Sequence, residues 1–128
     1  LKAILDTHAF LWWATDDLKL SSRARDFIRD PKNSLSFSVV SVWEILLKAR
    51  TGRLPIKGNV AEFVEIRIQR YDLALIDLTF THLARFYSLP AHHSDPFDHL
   101  LVAQAQVEKL SLITGDAQIR KYDVDVIW

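Results

Sequence analysis

The chain has no cysteine and no methionine, and only three Gly and four Pro among 128 residues. Without cysteine there are no disulfides, no thiolate metal sites and no cysteine nucleophile, a composition that suits the cytoplasm. The scarcity of Gly and Pro argues against a repeat, a fibre or a disordered tail. No run approaches the roughly 20 apolar residues that a membrane span needs. The opening Leu1-Lys2-Ala3-Ile4-Leu5 is too short for a secretory signal and reads as a strand; the missing initiator Met implies a residue or two before it. Net charge is lacking as well, since sixteen Lys and Arg balance sixteen Asp and Glu. With no global field to draw in nucleic acid, such a partner has to be held by a local patch.

What the chain does have is apolar mass. Hydrophobic residues make up 49%, including four Trp, three Tyr and seven Phe, enough for one buried core. The length fits a single domain over 1–128. Apolar runs at residues 2–5, 35–38, 73–76, 112–114 and 125–127 predict strands. Between them runs a helical period. Ala24, Phe27 and Ile28 follow a cap at Ser21-Ser22, and Val42, Ile45, Leu46 and Ala49 precede a stop at Gly52. Val60, Phe63, Val64 and Ile68 form another stripe, as do Phe80, Leu83, Ala84 and Tyr87. Residues 97–107 are apolar almost all round, which predicts a buried helix. Strands alternating with helices specify a mainly parallel sheet covered on both faces, an α/β fold.

In such a sheet the C-terminal ends of the strands share one edge, where open α/β folds bind ligands. Asp6 ends the first strand, Glu44 lies early in the helix after the second, and Asp116 follows the fourth. The helix that feeds the fourth strand runs antiparallel to the sheet and returns Asp95 and Asp98 to that edge. Each acid has a structural reading of its own. Asp6 and Asp116 can cap following helices, and Asp95 before Pro96 is an N-cap sequence. Asp98 at N3 favours the helix dipole. Ser41 with Glu44 has capping-box spacing, and Glu44 with Lys48 has ion-pair spacing. Five carboxylates on one rim nevertheless repel, and a cation relieves that repulsion. With oxygen ligands only, the cation expected is hard, Mg²⁺ or Mn²⁺. Such an ion suits phosphodiester hydrolysis by activated water, without a side-chain nucleophile.

The same positions carry a family resemblance. Ile4-Leu5-Asp6-Thr7-His8-Ala9-Phe10-Leu11-Trp12-Trp13 resembles the opening of PIN-domain toxins of the VapC type. Ser41-Val42-Trp43-Glu44-Ile45 with Lys48 and Gly52-Arg53-Leu54-Pro55 resembles their second motif. The stretch from His92 to Ala105 resembles the third, and Thr114-Gly115-Asp116 the fourth. The match spans the chain in order, and the combination is far more specific than any one piece. The resemblance implies a PIN-like three-layer α/β/α sandwich, Mg²⁺-dependent endoribonuclease activity, a homodimer and an antitoxin partner that blocks the site. It also implies an acidic set of Asp6, Glu44, Asp98 and Asp116. Asp95 is an extra acid of this subgroup, either a ligand or only a cap. Many relatives have Ala in place of Gly115, a departure expected to matter little.

Other residues carry two readings. His8 stands either against substrate phosphate or as a structural histidine, and His92 and His93 read as surface loop. Thr114 either positions a water or phosphate or merely ends its strand. Trp12, Trp13 and Trp43 read as core or as a groove for a partner helix, in preference to stacking on bases. Lys48, Arg50, Arg53 and Lys57 form the densest basic run and are the candidates for the RNA backbone, against a plain solvated face. The aromatic stretch Phe10 to Trp13 and the Phe80, Leu83, Tyr87 stripe offer apolar surface for association. Two rival functions remain. A haloacid-dehalogenase-like phosphatase wants a second Asp where His8 stands, and a receiver domain wants an acidic pair and a late Lys that are not convincing here. A non-catalytic interaction module on the same fold would keep the architecture without the chemistry.

Overall fold

A computed structural model describes residues 1–92 and 94–128; the reading of His93 lies outside them. Five strands form one sheet in the order β3-β2-β1-β4-β5: β1 Lys2–Leu5, β2 Ser34–Ser38, β3 Ala74–Ile76, β4 Ser111–Ile113 and β5 Val126–Ile127. Every pairing is parallel, so the expectation of a mainly parallel sheet is met in full. Strand ends differ from the sequence expectations by one residue, as fraying ends do.

The helices are α1 Thr7–Ala14, α2 Ser22–Arg29, α3 Val39–Arg50, α4 Val60–Arg70, α5 Phe80–Ser88 and α6 Pro96–Glu108, with a 3₁₀ turn at Ile119–Lys121. The two-residue alternation of β1 assigns the layers. Ala3 and Leu5 point into a core with Phe10, Ala24, Ile45 and Val64, drawn from α1 to α4. Ile4 points the other way, against Leu101, Val102 and Ala105 of α6 and Ile119 and Tyr122 near the 3₁₀ turn. This is a three-layer α/β/α sandwich, and α5 packs on α6.

One expectation fails on packing. Phe10 is fully buried and stacked on Phe37 at 4.2 Å, while Leu11, Trp12 and Trp13 pack against the first core. The stretch Phe10 to Trp13 is therefore largely used by this chain's own interior and is not a free surface. The stripe on α5 is exposed as expected, with Phe80 85% and Tyr87 90% accessible.

Candidate active site

The chain order of the strands picks out one point on the C-terminal edge. From β1 the sheet grows through β2 and β3 to one side and through β4 and β5 to the other. Connections leave β1 and β4 in opposite directions and open a crevice between their ends, the usual binding place in open α/β sheets. Asp6 sits there: its N–H donates to the Ile113 carbonyl at 3.0 Å, continuing the ladder one residue beyond β1. Asp6, His8, Trp12, Gly115 and Asp116 line a cleft of about 250 Å³ at this position.

Asp6 has a structural task as well. Its Oδ1 accepts the Ala9 N–H at 2.7 Å and caps α1. Burial pushes its carboxyl above the ordinary value of 3.8. The Thr114 hydroxyl, the Ala9 N–H and the nearby His8 pull it back down, while the charge of Glu44 pushes it up again. Thr114 thus does more than end its strand. It is fully buried, bonds Asp6 and accepts the Asp116 N–H at 3.1 Å. Asp116 in turn accepts the Gln118 N–H at 2.9 Å, just before the 3₁₀ turn, which has no side-chain cap of its own.

Glu44 enters from α3 and is only 2% exposed. Its Oε1 accepts the Thr7 hydroxyl and its Oε2 meets the Lys48 ammonium, both at 2.6 Å. Helical side chains lean toward the helix N-terminus, which is why Lys48 reaches back to it. The expected i, i+4 ion pair is present, but the capping box is not. Ser38 caps α3, accepting the Val40 N–H at 3.0 Å, and Ser41 lies inside the helix, fully buried with no partner for its hydroxyl among the described residues.

The N-terminus of α6 arrives beside this part of α3. Phe97 meets Trp43 edge to face at 4.9 Å, and Asp98 follows Phe97 at N3 of the same first turn. Asp95 caps α6 through the Phe97 N–H at 2.9 Å. Among the described residues, no three His, Asp or Glu side chains are gathered into a finished metal cage. Glu44 has both oxygens engaged, by Thr7 and Lys48. The donor set itself, carboxylate oxygens at a place where a buried Asp6 already feels Glu44, fits a hard divalent ion.

The basic run divides. Lys48 joins the acids, whereas Arg50, Arg53 and Lys57 are exposed at and beyond the far end of α3. At about 1.5 Å per residue a 12-residue helix carries them well away from the edge. His8 is exposed at the cleft and tilts against Trp12 at 5.5 Å. His92 is an exposed loop residue whose ring meets Tyr122 at 5.1 Å. Trp43 is 55% exposed and lines an apolar groove of about 500 Å³ with Val42, Leu46, Ile68 and Leu75. The reading of Gly115 needs correction. A Cβ there would lie 2.7 Å from Cε2 of Trp128, so Ala cannot replace it unless the indole shifts. Thr7 and Trp128 were not singled out by sequence; the only signal for Thr7 is a polar residue beside Asp6 just past a buried strand.

Comparison with known proteins agrees with this architecture. The family model described as PIN domain matches residues 3–125. Among solved structures, VapBC2 from Rickettsia felis bound to a DNA fragment from their promoter superposes with TM-score 0.71 at 14% identity, covering 98% of this chain and 97% of the other. FitAcB from Neisseria gonorrhoeae gives TM-score 0.66 at 16% identity, covering 98% and 96%. VapBC-5 from Mycobacterium tuberculosis, a member of a toxin–antitoxin family, gives 0.65 at 15%, covering 98% and 97%. A search of curated proteins finds no match.

Proposed function

The chain belongs to the PIN-domain family, and on that premise we propose that it is a metal-dependent endoribonuclease, the toxin of a VapC-type toxin–antitoxin pair acting in the cytoplasm. The observation that carries the reading is Asp6 and Asp116 sharing one cleft at the switch point of the sheet, with Glu44 acting on Asp6. Asp6, Glu44, Asp98 and Asp116 would hold the ion, while Asp95 serves α6 as its cap. Bound there, Mg²⁺ or Mn²⁺ would neutralise charge on the phosphodiester and acidify an attacking water.

The chain's own residues prepare that place. Thr114 fixes Asp6, and Thr7 fixes Glu44. His8, exposed at the mouth of the cleft, would meet a phosphate. Arg50 and Arg53 hold RNA backbone distant from the scissile bond, because α3 carries them away from it. The exposed α5 stripe suits a second copy of the chain, and the Trp43 groove suits an apolar antitoxin segment. The VapBC neighbours, which are complexes with antitoxins, support that assignment of partner.

RNA cleavage by the purified chain, with chelator and then with added Mg²⁺ or Mn²⁺, tests the proposal. Chelation should abolish cleavage and the ions restore it. Undiminished cleavage in excess chelator would sink the mechanism, and no cleavage under any condition would favour a non-catalytic module.

A further inference from the structure

We propose that Lys48 is a built-in counter-cation for Glu44, which the incoming divalent ion displaces and so releases toward the RNA phosphate. The inference rests on the metal reading above and assigns Lys48 a part in it. A pair of Glu and Lys four residues apart is ordinary on an exposed helix face. Here the two partners are unequal. The Glu44 side chain is 3% exposed, whereas that of Lys48 is 27% exposed.

A buried carboxylate without a cation is strongly disfavoured, so in the metal-free protein the ammonium at 2.6 Å from Oε2 supplies the neutralising charge. A divalent ion ligated by the same carboxylate would stand within a few ångströms of that ammonium, and the two cations repel. Only one of Glu44's partners is able to leave cheaply. Thr7 is buried at the start of α1, and its neutral hydroxyl can stay on Oε1 whether or not a metal is present. Lys48 has a flexible four-carbon stem with one end already near water, and ammonium is readily hydrated. Exchange leaves Glu44 neutralised throughout and turns one fixed positive charge into a mobile one beside the site. Lys48 then differs from Arg50 and Arg53: it contributes to RNA only after the metal has bound.

The test uses the full chain, free of metal. Nitrogen-detected NMR of the lysine ammonium groups should show a protected signal for Lys48, assigned by its loss in Lys48→Arg, that disappears as Mg²⁺ is added. Calorimetry should show Lys48→Met binding Mg²⁺ about tenfold tighter than wild type, about 1.4 kcal/mol, with a lower metal-free melting temperature. Lys48→Arg should not show that gain. A Lys48 signal that persists at saturating Mg²⁺, or an unchanged affinity in Lys48→Met, overturns the exchange while leaving metal binding intact. No Mg²⁺ binding by wild type at all overturns both readings together. If Lys48→Met does not fold, the wild-type NMR titration decides.

Discussion

Over the ends of β2 and β3, buried polar groups on the carboxylate edge are neutral up to the rim. The Ser38 hydroxyl donates to Gln104 Oε1 and accepts the Val40 N–H. Gln104 Nε2 donates to the Asp77 carbonyl at 3.3 Å and leans on His82 Nδ1 at 3.4 Å. Because Nδ1 also accepts the Thr79 N–H, the ring proton sits on Nε2 and points at Glu108, 2.8 Å away and partly exposed. Over the ends of β1 and β4 the hydroxyls of Thr7 and Thr114 instead serve carboxylates, with Lys48 beside Glu44 and His8 near Asp6. Asp6 stands one strand over from Ser38, two residues past the pairing of Ile4 with Ser36. Neighbouring positions on one edge thus serve opposite ends. A satisfied neutral chain ties α5 and α6 to the sheet, whereas the carboxylates beside it are, on the proposed function, kept for a cation. Buried polarity that is fully paired reads as structure, and buried polarity left under-neutralised reads as function.

The largest effect that would break this comparison comes from changing the Glu44 carboxylate and the Gln104 amide in turn. Glu44→Gln keeps the shape and the Thr7 bond but removes a charge, so cleavage should fall by about 10²–10⁴-fold while the fold persists. Gln104→Leu should do the reverse. It orphans the Ser38 hydroxyl and the Asp77 carbonyl, costing about 2–4 kcal/mol, yet cleavage per folded molecule should be largely retained. Urea denaturation and cleavage assays on both variants measure the four quantities. If Gln104→Leu loses activity as steeply as Glu44→Gln while still folded, the neutral chain is part of the site and the division fails.

A smaller effect sharpens the comparison through pH. Asp6 holds its proton more tightly in the folded protein than in the unfolded chain, because burial raises its pKa above 3.8. Between the ordinary and the raised value the folded state binds more protons, so metal-free stability should fall as pH rises through that window and level off above it. Asp6→Asn should remove this component and keep the α1 cap, since Asn also supplies an oxygen. The readout is the difference between wild type and variant in urea titrations in chelator, from acidic to neutral pH. A difference that does not change with pH would mean that Asp6 is solvated well enough to ionise freely.

Much of this was legible in the sequence, and the misses share a cause. The strand–helix alternation follows from local period, and the meeting of Asp6 and Asp116 at one edge from the geometry of a parallel sheet. Ser38 was hidden as the α3 cap because Val39 and Val40 continue the apolar run of β2, leaving Ser41 as the next polar candidate. Gln104 sits in a helix so apolar that its amide looks incidental; only the sheet brings it to Ser38. Phe10 to Trp13 look like surplus apolar surface until Phe37 and the helices of the first layer cover them. Gly115 looks replaceable until Trp128 folds against it. In each case the deciding neighbour is remote in sequence, and pattern reading sees only the near ones.

The finest distinction on the edge lies between two aspartates three residues apart. Asp95 and Asp98 share a helix N-terminus, whose dipole favours both charges, so electrostatics alone does not separate them. The hydrogen bond does. Asp95 Oδ1 takes the Phe97 N–H, a task that needs an oxygen and no charge. Asp95→Asn should therefore keep both stability and cleavage, and Asp95→Ala should lose about 0.5–2 kcal/mol through the uncapped helix. Asp98, at N3, would serve the metal by its charge. Asp98→Asn should abolish cleavage, and relief of repulsion at the rim should leave the metal-free fold as stable as wild type or more so. Thermal melts in chelator with parallel cleavage assays give the answer. Stability and activity should move together at position 95 and apart at position 98. A folded but inactive Asp95→Asn would make Asp95 a fifth member of the acidic set and move the cleft's centre toward α6.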